Sequence, residues 1–383
     1  MLTFRSTVLD GQKQDLVQEI KLQGDLRLRQ DSTIRRTAPN VQRDRQRFRL
    51  RYGMDATLLN DMTAGFSFAT GTGEQVSTNQ SMDNLGGQKA IWLDKVYLNW
   101  SPKLSDEGKV SVSAGRFVNP IWQTTSSDIV WDSDFNPEGL GESVEWFLPS
   151  LGGIYFANAV QMVVDEDSDS RSDQYMFGGQ LGAEYRLPAK SRLRFAGALY
   201  EWTNSRTNDF SPAVAQNGNR RLGNRVLNDF KVAELTTQLS AWAGAVPVKL
   251  QATFIRNLAA IQEEQAGRGE QGRNQFGYQV GTIVGEAAAP KSWEAGYFYK
   301  WSESDATVAD VADSDFGNGG TNRKGHILWT AYSPNDWSQL KFKFFYTTLV
   351  ANGLPPGSVT ATANPANKGD DINRIQLDYV VKF

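Results

Sequence analysis

Arginine recurs at every second position in two neighbouring stretches: Arg27 and Arg29, then Arg45, Arg47, Arg49 and Arg51. In an extended chain residues two apart share a face. If Leu26, Leu28, Phe48 and Leu50 take one face, all six guanidiniums stand on the other. A guanidinium keeps its charge at any physiological pH, so it holds and steers anions rather than moving protons. The segment 18–60 carries ten Lys or Arg against five Asp or Glu. From Phe117 to Ser170 there is no Lys or Arg, while Asp128, Asp132, Asp134 and Glu138 fall within 24 residues of its start. A basic ladder opposite such an acidic loop would set a transverse field that orients dipolar solutes and biases ions. The plainer reading is that the arginines solvate a wall and pair with Asp25 or Asp55. Both hold together, since paired wall charges still shape the potential.

Other constellations are poorer. Asp132, Asp134 and Asn136 place oxygens at alternate positions, as a calcium loop does. The Gly at the sixth position and the Glu at the twelfth are missing, which favours a capped turn or an arginine-paired loop. The acidic run Asp165-Glu-Asp167-Ser-Asp169 reads as a solvated loop tip or a site for a cation bridging lipopolysaccharide. Gly71-Thr-Gly73 and Gly317-Asn-Gly-Gly320 lack the strand-to-helix context of a phosphate loop. With 383 residues, no Cys and one His, thiol chemistry and paired-His metal sites are excluded, and no cofactor is expected. The net charge of −3 argues against nucleic-acid binding.

The elements that position these residues are strands. Hydrophobic residues make up 40% and charged residues 22%, which excludes wholesale disorder. The charge-free stretch Phe147 to Val164 is too polar for a membrane helix. Period-2 alternation dominates. Tyr175, Phe177, Leu181 and Tyr185 alternate with Gln180, Glu184 and Arg186, and Ile375, Leu377, Tyr379, Val381 and Phe383 alternate with Arg374, Gln376, Asp378 and Lys382. Sixteen strands are expected, at 18–29, 45–58, 62–70, 90–100, 109–118, 142–148, 153–164, 174–187, 191–202, 230–243, 246–257, 274–285, 291–301, 324–332, 338–349 and 372–383. Short and long connections alternate along the chain, and the 13 prolines lie in or beside them. An apolar face this long, with a charged and glycine-rich opposite face, is satisfied by lipid outside and water inside a closed sheet. The expected fold is therefore an all-β, transmembrane, antiparallel up-and-down barrel of residues 18–383, after a lead-in over 1–17 in which Gln12 to Glu19 could turn helically. About sixteen strands leave an aqueous channel. Trp100, Trp146, Trp242 and Trp293 would form one aromatic girdle, and Trp202 and Trp301 the other. His326 falls on the outer face. Lys95, Tyr97 and Arg116 join the six arginines as expected pore-lining residues, and Asp128, Asp132, Asp134 and Glu138 fall in the third long loop, 119–141.

The chain end Leu377-Asp-Tyr379-Val-Val381-Lys-Phe383 resembles the C-terminal signature of bacterial outer-membrane proteins. Gly24-Asp25-Leu26-Arg27-Leu28-Arg29, Arg43-Asp-Arg45-Gln-Arg47-Phe-Arg49-Leu-Arg51, Ser77-Thr-Asn79-Gln, Leu93-Asp94-Lys95-Val-Tyr97-Leu, Gly115-Arg116-Phe117 with Asn119-Pro120 and Trp131-Asp132-Ser-Asp134-Phe-Asn136-Pro137-Glu138-Gly139 resemble a Gram-negative outer-membrane porin family. The motifs are densest over 20–145. The resemblance implies passive diffusion of small hydrophilic solutes, a third long loop, 119–141, folded into the pore as the constriction loop, and a homotrimer. It also implies an outer-membrane location among lipid and lipopolysaccharide, and recognition of Tyr379, Val381 and Phe383 by the barrel-assembly machinery. No signal peptide is legible, since Arg5, Asp10, Lys13 and Asp15 interrupt any apolar run; an outer-membrane location implies one already removed. The competing functions are a surface scaffold or adhesin using the long loops, a barrel enzyme and a sheath for an electron-carrying cytochrome. The enzyme has one His, placed on the outer face, the adhesin leaves the inward arginines without a purpose, and the sheath needs a wider barrel.

Overall fold

The structure, a computed structural model, describes residues 2–4, 16–36, 41–166, 168, 173–205, 218–222, 225–260, 274–317, 319–350 and 371–383. Alternating sequence yields sixteen long strands. They are β1 (Val17–Arg35), β2 (Val41–Leu58), β3 (Met62–Thr70), β4 (Ile91–Trp100), β5 (Gly108–Arg116), β6 (Glu138–Leu148), β7 (Gly153–Asp165) and β8 (Gln174–Arg186). The second half holds β9 (Arg192–Trp202), β10 (Phe230–Ala243), β11 (Val246–Asn257), β12 (Phe276–Gly285), β13 (Ser292–Ser302), β14 (Arg323–Ser333), β15 (Ser338–Leu349) and β16 (Ile372–Lys382). Each pairs antiparallel with its sequence neighbours, and β16 returns to β1 with Asp378 opposite Arg29, closing the sheet. Gly24 and Phe383 exchange two backbone hydrogen bonds at the seam, 2.8 and 3.1 Å. Closure leaves no unpaired edge, the condition for strands to sit in lipid.

The phase is the one that charge demands. Leu26, Leu28, Leu50, Phe177, Leu181, Leu235, Phe254, Leu328 and Leu377 are exposed on the outside, while Asp25, Arg29, Asp31, Arg47, Arg49, Arg374 and Asp378 are buried within. A charge at the bilayer midplane on the outer face would cost about 2–4 kcal/mol, enough to fix the register. Trp100, Trp146, Trp242 and Trp293 are exposed at the short-turn end, as expected of a girdle. Trp202 is not at the outer interface; it points inward and is buried. His326 accepts its place outside, its Nδ1 2.9 Å from the Tyr297 hydroxyl.

The longest departure from expectation is at the first hairpin. β1 and β2 run on through Gln30–Arg35 and Val41–Asp44, where a long connection was expected. Apart from Ile34 and Val41 these residues are polar on both faces, so they carry little alternation. Val17–Glu19 are strand rather than helix; Gln12 to Asp15 lie outside the described residues. So do Asp167 and Asp169 of the acidic run.

The interior is not uniformly wet. On β7 to β11 the inward face carries Val160, Met162, Met176, Tyr200, Trp202, Val232 and Ile255, all buried. Gly182 belongs to this wall because the Phe156 ring passes where a Cβ would stand, at 2.2 Å. Two long connections fold onto it, 117–137 and 303–322.

Candidate functional site: a charged wall facing two inward loops

The charged wall is built by β15, β16, β1 and β2. Cross-strand register sets it in rows. Arg47, Arg29, Asp378 and Lys341 form one row, and Arg45, Asp31, Gln376 and Lys343 the next. Within the rows nearly every carboxylate is claimed. Arg29 grips Asp378 with two hydrogen bonds of 2.6 and 2.8 Å. Arg374 holds Asp31 the same way, at 2.8 and 2.9 Å. Arg45 reaches Asp31 at 2.6 Å, and Arg47 lies 3.5 Å from it. Asp25 accepts from Arg49 at 2.7 Å and from Arg51 at 2.6 Å. Bidentate geometry of this kind keeps guanidiniums fixed and still charged. Tyr97 donates to Asp55 at 2.8 Å from β4.

The connection 117–137 leaves β5, crosses the lumen and returns. Phe117, Ile121, Ile129, Val130, Trp131 and Phe135 anchor it in the apolar wall. Trp131 stacks on Phe135 at 5.4 Å and Trp202 at 5.8 Å, with Tyr200 edge-on at 5.2 Å. Polar clips fix its path: Trp122 N–H donates to Gln180 at 2.8 Å, and Ser127 meets Thr253 at 3.0 Å. Its return brings Asp134 to 3.8 Å from Arg49 and 3.6 Å from Arg51. Acidic loop and basic wall therefore do meet there. A cavity of about 330 Å³ opens between them, lined by Arg51, Asp94, Lys95, Asn119, Trp131 and Asp134.

The connection 303–322 is the element that sequence reasoning missed. Ala306, Val308, Ala309, Val311, Ala312 and Phe316 are buried. It is stitched to the first loop by Asp132 N–H to Val311 O at 2.7 Å, Asp313 N–H to Asp128 O at 3.0 Å and Ser314 N–H to Asp132 Oδ2 at 2.8 Å. Its Asp315 reaches the wall, 3.1 Å from Arg29 and 3.0 Å from Arg374. Behind it Arg220 and Asp305 form a pair at 2.7 Å, each 1% exposed. An Ala and Val pattern in a supposed solvent loop was the available signal, because a loop left in water has no use for it.

The acids of these loops differ in state. Burial, with Asp313 nearby, pushes the Asp128 carboxyl up to about 7. Burial and Asp128 raise Asp132 well above its ordinary value. Burial alone would raise Asp315 too, but Arg374 and Arg29 hold it well below the usual carboxylate range.

Several expected site residues take other roles. Asp132 caps the loop: its Oδ1 accepts the Asp134 N–H at 2.8 Å and its Oδ2 that of Ser314. Asn136 turns its amide to Asp94, 3.0 Å away, and Asp134 to the arginines, so the three calcium candidates share no centre. Among the described residues no group of three such ligands is arranged around a metal. Glu138 is the first residue of β6 rather than a constriction residue, and pairs with Arg116 at 2.7 Å. Arg116 is in register with exposed Val96, so it belongs to the outer row at the long-loop rim, not to the ladder. Asp128 acts through its carbonyl, which also accepts from Lys300 at 3.4 Å. Tyr379 and Phe383 are exposed on the outer face of the sealing strand.

Comparison with known proteins follows the geometry. The sequence matches the family described as "Putative porin" over residues 17–228 and 225–383. The chain belongs to that porin family. Among solved structures, this porin is similar to Salmonella typhi OmpF, determined in complex with daunomycin, with 12% identity over 95% of this chain and 98% of that one, at a TM-score of 0.53. A mutant of Rh. blastica porin gives 9% identity over 95% and 100% of the two chains, at 0.46. No curated protein matches the sequence. Likeness to the first at such low identity establishes the shared barrel, and the porin family supplies the class.

Proposed function

We propose that this porin is a passive diffusion channel for small hydrophilic solutes and ions in the outer membrane of a Gram-negative bacterium, with a preference for anions. The observation that carries the preference is the charge count of the wall. Its named cations number nine (Arg27, Arg29, Arg45, Arg47, Arg49, Arg51, Lys341, Lys343 and Arg374), against Asp25, Asp31, Asp55 and Asp378, with Asp134 and Asp315 added from the loops. An uncompensated positive wall in a narrow passage raises the local anion concentration and holds cations out. Asp134 opposite Arg49 and Arg51 supports a transverse field at the same level. No chemical step is part of this reading.

The C-terminal row Tyr379, Val381 and Phe383 supports recognition by the barrel-assembly machinery, since it lies on the outer face of the last strand to close. Lipopolysaccharide contact and a homotrimer are parts of the same reading, carried by family likeness. The experiment is single-channel recording in a planar bilayer under a potassium chloride gradient. Conductance with a reversal potential of the anionic sign is expected; a cationic sign removes the preference, and silence removes the channel.

A further inference from the structure

Most wall cations have a carboxylate; three, all half-buried, do not. Among the described residues none lies within 4.0 Å of Arg27, Lys341 or Lys343. Lys341 and Lys343 alternate with exposed Leu340 and Phe342, so both ammonium stems stand on the lumen side of β15. Lys341 lies 5.3 Å over the Trp329 ring, and Lys343 5.3 Å over Phe345. The acids of the neighbouring register positions are already engaged. Asp378, opposite Lys341, is held twice by Arg29, and Glu294 accepts the Trp329 indole N–H at 2.9 Å. Gln376, opposite Lys343, is fully buried with neither end of its amide partnered. Arg27 stands on the far side of β16, one terminal nitrogen donating to Asn79 Oδ1 and its Nε buried and unpartnered.

We propose that Lys341 and Lys343 form an oxyanion subsite that retains small tetrahedral anions such as phosphate, with Arg27 the next station along the wall. The proposal rests on the anion-channel reading above and names its substrate class. Residues two apart on a strand are about 6.7 Å apart at Cα, and both side chains end in three donors. An anion with several oxygens can take one ammonium at each side, with N···O distances of about 2.8 Å. A chloride ion offers one centre and gains little from the pair. The aromatic rings beneath fix the stems and add cation–π support without neutralising the charge.

The test is chloride conductance of the full chain in a planar bilayer, titrated with inorganic phosphate. Wild type should be slowed by phosphate in a saturable manner. Lys341→Gln/Lys343→Gln should raise the half-blocking phosphate concentration about tenfold, the loss of one charge-assisted contact or more. Lys341→Arg/Lys343→Arg should keep it within about threefold, since charge and donors remain. The single variant Lys343→Gln, with folding read from gel mobility of unheated and heated samples, serves where the double variant does not fold. Phosphate without effect on a conducting wild type overturns the subsite and leaves the channel standing. So does block that is unchanged in the Gln variants. A wild type that does not conduct overturns the channel reading and the subsite together.

Discussion

Two halves of one inner wall behave oppositely. Across β15, β16, β1 and β2 most inward positions are polar or charged, and most of their carboxylates are held by arginines. Across β7 to β11 they are Val160, Met162, Met176, Tyr200 and Val232, sealed under two loops. Both halves have the same outer face, because lipid imposes the same demand all round. What differs is the inner solvent. Charges on one side keep water against the wall; apolar side chains on the other take a loop in its place, and a buried aromatic such as Trp131 contributes roughly as a core residue does. The two loops span the lumen between these halves, Asp134 and Asp315 reaching the cationic wall.

The largest expected effect comes from breaking the dry half. Trp131→Ala should cost about 3–5 kcal/mol, the usual range for removing a buried Trp. Unfolding temperature should fall and single-channel conductance rise, because the 117–137 loop loses its anchor. Unchanged conductance would show the loop held by its polar clips alone.

On the wet half, Arg47→Ala/Arg49→Ala/Arg51→Ala should shift the reversal potential toward cations. Each lost wall charge changes the local potential by on the order of kT, so the permeability ratio should move about twofold or more per charge. An unmoved value would place these groups away from the narrow level.

A third effect links the halves through the loop contact. The Asp128 carboxyl has an ordinary value of 3.8 and is raised to about 7 by burial and Asp313. Its protonated form is favoured in the folded state, so between about 4 and 7 the folded chain binds more protons than the unfolded one, and stability falls as pH rises through that window. Asp132 acts in the same direction. Asp315 has the opposite sign: held low by Arg374 and Arg29, it contributes stability above its ordinary value of 3.8 that is lost as pH falls below it. The unfolding temperature of wild type should thus fall from pH 4 to 7, and Asp128→Asn should flatten part of that slope. A slope identical in the variant would remove Asp128 from the account.

The smallest effect is expected at His326→Ala. The ring sits outside, stacked among tyrosines, so stability should change by about 0.5 kcal/mol or less and conductance should stay the same. A loss of conductance would contradict its outer placement.

Strand positions and phase were legible because lipid punishes a wrong parity at every step. The expected spans 62–70, 230–243, 246–257 and 338–349 coincide with β3, β10, β11 and β15. Asp25 as partner of the ladder was legible for the same reason, since it shares parity with Arg27. The dry half was written more faintly. The uncharged run through Val160 reads as a strand at 153–164, but its further signal, apolar residues on both faces, marks burial on both sides. Asp315 was not legible at all, because the meeting of residue 315 with residues 29 and 374 depends on how a long connection folds, which period-2 patterning does not report. Glu138 and Arg116 were misplaced because the strand pair β5–β6 begins before its alternation becomes regular, at Gly115 and Gly139 with positive φ.

The contrast between the halves is tested most directly by access of a reagent to single thiols, since the chain has no Cys of its own. Lys343→Cys, Val160→Cys and Leu181→Cys, in reconstituted barrels, place one thiol on each kind of surface. A water-soluble, membrane-impermeant methanethiosulfonate should label Lys343→Cys quickly and leave Val160→Cys unmodified, while Leu181→Cys should react only with a lipid-soluble maleimide. Rapid aqueous labelling of Val160→Cys, or protection of Lys343→Cys, would contradict the account.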